Sequence, residues 1–175
     1  MTGSDAEAVL ITGLFGTGKS SLAVEIADIL EKRGVPYAVI DLDWLCWGYA
    51  GGGEGAEHRM MLANLRPVLA NYLAVGVRSV ILARSIRSRA ELESLKAALP
   101  MPLRVVELVV PLDEIERRLG SDITAARGDD LEDARAWAAA GEGIGLADLS
   151  VANERPLREV ADEIIQLLGW DARDV

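Results

Sequence analysis

The most constraining feature of the sequence is a glycine-rich segment near its start. Residues 13–20 read Gly-Leu-Phe-Gly-Thr-Gly-Lys-Ser, which fits the pattern G-x-x-x-x-G-K-[ST]. An apolar run at residues 9–11 precedes this segment, and residues 21–33 carry apolar side chains at helical spacing. A glycine turn between a strand and a helix lets backbone N–H groups surround phosphate oxygens, in front of the positive end of the helix dipole. The pattern therefore predicts a phosphate-binding loop and favours a nucleotide as ligand.

The motif assigns a role to each of its fixed residues. Lys19 is expected to reach the β and γ phosphates, and Ser20 is expected to hold Mg²⁺. A glycine-rich turn with an accidental lysine is the alternative, and the strand–helix context disfavours it. The residues expected to bind the nucleotide are Gly13, Gly16, Thr17, Gly18, Lys19, Ser20 and Ser21.

Composition narrows the class of protein. The 175 residues are half hydrophobic, which is enough for one good core, so a single domain is expected. The formal net charge of −10 disfavours nucleic-acid and membrane partners.

Cys46 and His58 are the sole cysteine and histidine, which excludes an intrachain disulfide and a Cys/His zinc site. Cys46 is expected to be a small buried hydrophobe, and His58 an exposed or capping residue rather than a general base. No signal peptide or membrane-spanning run is recognised, so a cytoplasmic protein is expected, with its oligomeric state left open.

Strand-like and helix-like segments alternate along the chain. This order is typical of an α/β protein with a parallel sheet covered on both faces. Residues 120–130 are polar and without a period, and residues 141–145 are a flexible turn. Strands are predicted at residues 9–11, 37–42, 78–83, 103–110 and about 149–152, and helices at 21–33, 59–75, 89–99, from 112 onward, 131–140 and 157–168.

A second candidate site lies at the end of the strand predicted at residues 37–42, where the sequence reads Asp41-Leu42-Asp43. Residues two apart in a strand point to the same side, so both carboxylates are expected to face the cleft beyond the strand's carboxyl end. The phosphate loop opens into the same cleft. One carboxylate would hold Mg²⁺ through water, and the other would bind or deprotonate an acceptor hydroxyl. A turn-capping role for Asp43 is the alternative interpretation.

These features together resemble the small P-loop kinases of metabolites and nucleotides: shikimate, gluconate and adenylylsulfate kinases and, more distantly, antibiotic phosphotransferases. Residues 13–20 resemble their Walker A motif, residues 41–43 the Asp-x-Asp that ends their second strand, and residues 117–127 their arginine-bearing lid. Residues 41–45 are also similar to a segment of unassigned actinobacterial P-loop ATPases. The resemblance implies that Asp41 is associated with Mg²⁺ and Asp43 with the acceptor.

The resemblance also implies an architecture. It is a single three-layer α/β/α domain over residues 1–175, with a five-stranded parallel sheet in the order 2-3-1-4-5. The acceptor region would lie at about residues 43–75 and the lid at about residues 117–130.

The sequence departs from these families in two places. Residues 83–85 read Ala-Arg-Ser where shikimate kinases carry glycines, so shikimate is not the expected acceptor. The same strand lacks a Walker B aspartate, which leaves Mg²⁺ to Ser20, water and Asp41. Adenylylsulfate kinases have Asp-Gly-Asp followed by Asn and Arg, whereas residues 44–47 here are Trp-Leu-Cys-Trp. This second difference predicts a different acceptor pocket.

Aromatic residues and a glycine run follow the two aspartates. Trp44, Trp47 and Tyr49 precede residues 51–55, which read Gly-Gly-Gly-Glu-Gly. Such a pairing suits an acceptor pocket with a mobile cover. Packing of each tryptophan on the core side of a short helix is an equally open alternative. Together the aromatic residues favour a planar or apolar acceptor.

Arginines are the remaining candidates for stabilising a transferring phosphate. Arg84 follows the third strand and is expected to contact the acceptor or a phosphate. Arg59, on the helix after the glycine run, is a candidate acceptor ligand, with a solvated side chain as the alternative. Arg118 ends the helix after the fourth strand, and Arg127 lies in the aperiodic segment, where it would close over ATP.

The sequence thus predicts an ATP-dependent phosphotransferase acting on a small-molecule hydroxyl or phosphate, with ATP and Mg²⁺ as cofactors. The alternative is a nucleotide-dependent switch whose state a protein partner reads, and the missing Walker B residue keeps it open. A pocket lined by Asp43, Trp44 and Arg84 favours the kinase, and an exposed basic or apolar docking face favours the switch. The predicted catalytic residues are Lys19, Asp41, Asp43, Arg84, Arg118 and Arg127; the acceptor residues are Asp43, Trp44, Trp47, Arg59 and Arg84; the metal ligands are Ser20 and Asp41.

Overall fold

Five parallel strands form the sheet on which the candidate site is built. The computed structural model describes residues 6–48, 55–120, 125–141 and 143–170, and for residues 125–130 it describes the backbone alone. The strands are β1 (Glu7–Thr12), β2 (Tyr37–Asp41), β3 (Ser79–Ala83), β4 (Leu103–Val109) and β5 (Leu149–Ala152). The helices are α1 (Lys19–Lys32), α2 (Ala56–Ala74), α3 (Arg89–Ala98), α4 (Leu112–Gly120), α5 (Ala125–Ala140) and α6 (Leu157–Leu168), with a 3₁₀ helix at Leu42–Leu45.

The strand order is β2-β3-β1-β4-β5, and every pairing is parallel. This confirms the predicted α/β fold class and the order 2-3-1-4-5. β1 is central, with Ile11 opposite Ala83 of β3 and Thr12 opposite Glu107 of β4. The carboxyl ends of β1, β2 and β3 therefore meet at one edge of the sheet, which is where an open α/β sheet binds its ligands.

Two apolar cores cover the two faces of the sheet. Val9 and Ile11 of β1 enter the core formed with α1 and α6, while Ala8 and Leu10 enter the core formed with α2 and α3. The alternation follows from the two-residue period of a strand. Because both faces of β1 are fully buried, its residues read in the sequence as a continuous apolar run.

Local signals set several element boundaries. Gly34 follows α1 with φ at 72°, and its N–H bonds to the carbonyl of Glu31, which ends the helix. At the start of α3, the Ser88 side chain accepts the N–H of Glu91, and the Glu91 carboxylate accepts the N–H of Arg87. This reciprocal cap satisfies two N–H groups that the helix leaves unpaired.

Several predicted boundaries shift by a few residues; α2, for example, begins at Ala56 rather than at residue 59. Two differences concern the region of the site. Leu42 belongs to the 3₁₀ helix rather than to β2. α5 begins at Ala125, inside the segment at residues 120–130 that was predicted to be aperiodic, rather than at residue 131. Ala134 and Trp137 are buried where α5 packs on α4, so tertiary contacts stabilise a helix whose sequence shows little amphipathic period.

Within the described ranges, none of the helices combines the length and the apolar character needed to cross a bilayer.

Candidate functional site

The phosphate loop, residues 13–20, joins β1 to α1 through three glycines with positive φ. The φ angles of Gly13, Gly16 and Gly18 are 137°, 78° and 92°. A Cβ atom on Gly13 would lie 2.7 Å from the carbonyl oxygen of Leu108, and one on Gly16 would lie 2.9 Å from Cγ of Leu119. Both the backbone conformation and the surrounding space thus require glycine at these positions. The loop ends where α1 begins, so its N–H groups and the helix dipole can act on the same anion.

Side chains from distant parts of the chain brace this loop. The Thr17 hydroxyl, 1% exposed at the residue level, donates to the carbonyl of Leu14 at 2.8 Å. Asn153, which follows β5 and is 3% exposed, donates its amide N–H to the carbonyl of Thr17 at 2.7 Å. On the other side, the Ser85 hydroxyl donates to the carbonyl of Gly13 at 2.9 Å. The loop is therefore held between the ends of β3 and β5.

Lys19 lies folded along the loop. Its ammonium group donates to the carbonyls of Gly13 and Leu14 at 3.2 and 2.9 Å, and it lies 5.4 Å from the ring centroid of Phe15. The side chain is thus held over the concave side of the loop. Phosphate oxygens bound there would compete with these carbonyls for the same ammonium protons.

Ser20 and Asp41 form the contact that suits a divalent cation. The Ser20 hydroxyl donates to Asp41 Oδ2 at 2.7 Å, which places one hydroxyl and one carboxylate oxygen together beside the phosphate loop. Oxygen ligands of this kind suit Mg²⁺, which commonly binds through one or two protein groups, water and substrate phosphate. In the described part of the chain, no cluster of three or more His, Cys, Asp or Glu residues could hold a metal ion. The pair therefore fits a magnesium ion that shares its ligands with a nucleotide.

Asp43 lies close to Asp41, although not for the reason predicted from strand alternation. β2 ends at Asp41, whose carboxylate accepts the N–H of Asp43 at 3.1 Å and caps the 3₁₀ helix. Asp43 then faces the same cleft from the first turn of this helix. Its Oδ1 accepts a hydrogen bond from Arg84 Nη1 at 2.5 Å. Arg84, with its side chain 15% exposed, thus fixes the Asp43 carboxylate from behind and also approaches Cys46 Sγ at 3.7 Å.

Trp44 and Trp47 are exposed and stack on each other. Their ring centroids lie 4.9 Å apart with an interplanar angle of 16°, and the two residues are 68% and 75% exposed. The two alternatives were an acceptor pocket and packing of each tryptophan on the core side of a short helix. The structure places neither indole in the core. Cys46 between them is buried, as expected.

Arg118 approaches the loop from α4. Its guanidinium donates to the carbonyl of Asn153 at 2.9 Å and to Glu114 Oε1 at 2.7 Å. Arg117 donates to Glu114 as well, and the two arginines, Arg117 first, lower the pKa of Glu114 to about 2. Glu114 therefore stays ionised and holds Arg118 next to the β5 loop. The side chain of Arg127 lies outside the described residues.

One open cleft connects most of these groups. Its volume is about 860 Å³, within the range of small-molecule sites. At its β2 end lie Asp41, Asp43, Trp44 and Trp47, and at its β5 end lie Arg118, Leu119, Asn153, Arg155 and Leu157. The phosphate loop and the start of α1 lie between these ends, through Phe15, Gly16, Gly18, Lys19, Ser20 and Ser21. Four predicted site residues in the described part of the chain do not line this cleft. They are Gly13 and Thr17 of the phosphate loop, Arg84, which lies behind Asp43, and Arg59, which is exposed on α2.

His58 is half-buried, not exposed as expected. Its Nε2 lies 2.6 Å from the Ser94 hydroxyl, which itself donates to the carbonyl of Glu91. With the Ser94 proton directed at Glu91, Nε2 is assigned as the protonated nitrogen, and the buried Nδ1 has no hydrogen-bond partner among the described residues. Burial lowers the pKa of His58 below its ordinary value of 6.5. The positive charge of Arg84 lowers this pKa further, while the negative charge of Glu91 raises it. This neighbourhood favours the neutral ring.

A cluster beneath the loop was not predicted from the sequence. Phe15 meets Trp137 of α5 edge to face, with centroids 6.1 Å apart, and the Arg87 guanidinium lies 5.0 Å from the Trp137 ring and 5.8 Å from the Phe15 ring. Arg87 also pairs with Asp133. α5 is thereby attached directly to the phosphate loop. The aromatic residue inside the loop motif, at position 15, was the available signal for such a contact.

Comparison with known proteins identifies the fold. The sequence matches no protein-family model and no curated protein. Among solved structures, the tunicamycin resistance protein of Deinococcus radiodurans matches with a TM-score of 0.65 at 19% identity, over 94% of this chain and 96% of that one. APS kinase of Mycobacterium tuberculosis matches with a TM-score of 0.58 at 26% identity, over 94% and 98%. A gluconokinase of Sinorhizobium meliloti matches with a TM-score of 0.58 at 18% identity, over 95% and 98%.

The strand order matches the fold of these neighbours. They include kinases of several small molecules, and each match extends over nearly the whole of both chains. The resemblance inferred from residues 13–20 and 41–43 is confirmed, and the chain has the fold of the small P-loop kinases.

Proposed function

We propose that this protein transfers the γ-phosphate of Mg·ATP to a hydroxyl or phosphate group of a small-molecule acceptor. The observation that carries the proposal is a cleft in which the phosphate loop lies between one end with two carboxylates and two indoles and another end with Arg118 and Asn153. Kinase-fold neighbours support ATP-dependent transfer to a small molecule in general terms. The proposal treats residues 1–175 as one catalytic domain.

The Ser20–Asp41 contact gives the bound nucleotide a direction. Because this pair lies on the β2 side of the loop, a magnesium ion held there would draw the terminal phosphates toward Asp41. The base and ribose would then extend toward the β5 end, past Arg118 and Asn153. The acceptor would occupy the β2 end, beside Asp43.

Each charged group has a proposed role in the transfer. Lys19 would stabilise charge on the β and γ phosphates, while Arg118, and Arg127 from the proposed lid, would do so from the other side. Asp43, held by Arg84, would orient the acceptor hydroxyl and accept its proton. The hydroxyl oxygen forms a bond to the γ-phosphorus as the bond to the β-phosphate oxygen breaks, and ADP leaves. Bound Mg²⁺ supplies charge neutralisation on the phosphates.

The first test measures transfer of labelled γ-phosphate from Mg·ATP into a pool of metabolites, nucleotides and antibiotics. Wild-type protein is expected to form a labelled product that Lys19→Ala does not form. Asp43→Asn is expected to lower kcat by about 10²-fold or more, with little change in ATP affinity, because a general base contributes roughly 10²- to 10⁴-fold. Asp162→Asn is the matched control, since Asp162 lies on α6, does not line the cleft and pairs with the exposed side chains of Arg33 and Arg158.

Two results would contradict the assignment. Full transfer by Asp43→Asn would remove Asp43 from the reaction. Tight binding of ATP by wild-type protein without any labelled product would favour the nucleotide-dependent switch over the kinase.

A further inference from the structure

We propose that the acceptor is an uncharged or positively charged alcohol with a planar aromatic ring, and that the ring binds on the Trp44–Trp47 pair. This inference rests on the proposed phosphotransfer and specifies the acceptor for the same site. Its basis is the combination of an exposed aromatic surface, a rigid support beneath it and two carboxylates beside it.

The tryptophan pair has the properties of a stacking surface. Large apolar side chains that are two-thirds or more exposed are costly in water, and two of them lie together here at 68% and 75% exposure. The stacked geometry, with centroids 4.9 Å apart and rings within 16° of parallel, leaves flat indole faces beside the cleft. A planar ring of a ligand can extend such a stack, and a puckered ring makes poorer contact.

The backbone beneath the pair is held firmly, so the indoles lose little freedom on binding. Leu42 is fully buried, and the Cys46 thiol donates to the carbonyls of Leu42 and Asp43. From α2, the Asn64 amide donates to the carbonyl of Leu45 at 2.7 Å. Rigid aromatic side chains on a fixed backbone bind at low cost in conformational entropy.

The position of the pair in the cleft identifies its ligand as the acceptor. Both indoles line the cleft next to Asp43, on the side of the phosphate loop where Ser20 meets Asp41. A ring stacked there would place an attached hydroxyl near the Asp43 carboxylate and the terminal phosphate. The base of ATP would lie toward the opposite, β5 end.

The charges at this end favour an acceptor without negative charge. Among the described residues, the charged groups that line the β2 end are the carboxylates of Asp41 and Asp43, and the Arg84 charge is directed at Asp43. A bound nucleotide adds the negative charge of its phosphates. An anionic acceptor would therefore be repelled more than a neutral one, and a cationic group near the indoles would gain from their ring electrons.

The experiment uses acceptors that differ in one property. Benzyl alcohol and cyclohexylmethanol compare a flat ring with a puckered ring, and 4-(hydroxymethyl)benzoate adds a negative charge to the flat ring. Adenosine and ribose test whether the ring can belong to a nucleoside rather than a simple aryl alcohol. Binding is measured by equilibrium dialysis with a non-hydrolysable ATP analogue and Mg²⁺ present, and transfer is measured with Mg·ATP.

Binding and kcat/KM are expected to be about tenfold better for each flat-ring alcohol than for its ring-free or saturated counterpart, because stacking on an aromatic side chain has this magnitude. Trp47→Leu and Trp44→Leu are expected to remove most of that preference, and Trp47→Phe to restore part of it. The KM for ATP is expected to stay unchanged. Since both indoles are exposed, none of these substitutions opens a cavity in the core.

The outcomes separate this inference from the function on which it rests. Transfer to cyclohexylmethanol, ribose or the benzoate as efficient as transfer to the flat neutral alcohols would overturn the inference and leave the kinase in place. A preference that survives both Trp→Leu variants would also overturn it. Absence of transfer both to these acceptors and to the pooled metabolites would contradict the kinase. The dialysis would then decide on the stacking site: selective binding of flat rings that depends on Trp47 supports it, and absence of such binding overturns it.

Discussion

The two ends of the cleft are constructed in different ways. The phosphate loop and the β5 end are built from buried backbone atoms and from buried side chains that donate hydrogen bonds to them, such as those of Thr17 and Asn153. The β2 end is built from exposed side chains, Asp43, Trp44 and Trp47, on a short 3₁₀ helix. A site made of backbone geometry tolerates few substitutions, whereas a site made of exposed side chains can change its ligand without loss of the fold. The difference predicts that substitutions at the first end affect stability and substitutions at the second affect specificity.

The largest effect on stability is expected from Gly13→Ala in the phosphate loop. A Cβ atom there would lie 2.7 Å from the carbonyl oxygen of Leu108, and the alanine would also have to adopt a φ of 137°. Strain and overlap together should lower the free energy of unfolding by about 3 kcal/mol, measured by urea denaturation.

Two glycines supply matched controls for this substitution. Gly145 has a φ of 72° but open space around its Cβ position, so Gly145→Ala should cost only the strain, about 1 kcal/mol. Gly48, beside Trp47, has open space and no positive φ, so Gly48→Ala should change stability by less than about 0.5 kcal/mol. Equal losses at Gly13 and Gly48 would contradict the proposed difference between the two ends.

The second effect compares two asparagines that make the same contact. Asn153 and Asn64 each donate to a backbone carbonyl at 2.7 Å, but Asn153 is buried at the β5 end and Asn64 is exposed below the tryptophans. Asn153→Ala leaves the Thr17 carbonyl buried without this donor, which should lower the free energy of unfolding by about 1–3 kcal/mol. It should also weaken ATP binding, because the phosphate loop loses this support. Asn64→Ala exposes its carbonyl to water and should cost less than about 0.5 kcal/mol. Denaturation of both variants, with ATP titration, measures the contrast, and a larger loss for Asn64→Ala would refute it.

The same contrast explains how much the sequence could predict. The phosphate loop was recognisable because its requirements, positive φ at glycines and a lysine and serine at the helix start, are local and leave a fixed spacing in the sequence. The sheet order followed from the resemblance and from strands whose two buried faces give apolar runs. Asn153 could not be assigned to Thr17 in this way, because the two residues are far apart in the sequence and nothing local at either one requires the other.

At the β2 end, the residues could be predicted from the sequence but their arrangement could not. Asp41 and Asp43 were expected to project from one strand, yet the strand ends between them and the first aspartate caps a helix that carries the second. The choice between strand and 3₁₀ helix at Leu42 depends on burial of that side chain against the sheet and α2. Likewise, Arg84 was expected to face the acceptor directly, and instead it holds Asp43 from behind. Pairing between charged side chains leaves no periodic signal in a sequence.

The third effect tests whether Arg84 acts through Asp43. Arg84→Lys keeps the positive charge but loses the planar donor group, so the carboxylate should be held less well. We expect kcat/KM for the acceptor to fall about fivefold, with the KM for ATP unchanged, since that difference corresponds to roughly 1 kcal/mol. Arg104→Lys is the control, because Arg104 forms a surface ion pair with Glu7 away from the cleft. A rise in the KM for ATP alone would place Arg84 with the nucleotide instead.

The smallest effect concerns His58, which contacts Ser94 and whose pKa the charge of Arg84 helps to lower. Its pKa is lowered in the folded state, so below pH 6.5 the unfolded chain takes up a proton before the folded protein does, and stability falls as pH decreases through the folded pKa. Between pH 7.5 and pH 5, the free energy of unfolding of the wild-type protein should therefore fall by up to about 1 kcal/mol more than that of His58→Gln. Glu114→Gln provides the control, because a carboxyl with a pKa of about 2 loses its stabilising ionisation only below its ordinary value of 4.5. If the wild-type and His58→Gln proteins show the same pH dependence in urea denaturation, the ring is not held neutral, and its environment between α2 and α3 is more open to water than the Ser94 contact implies.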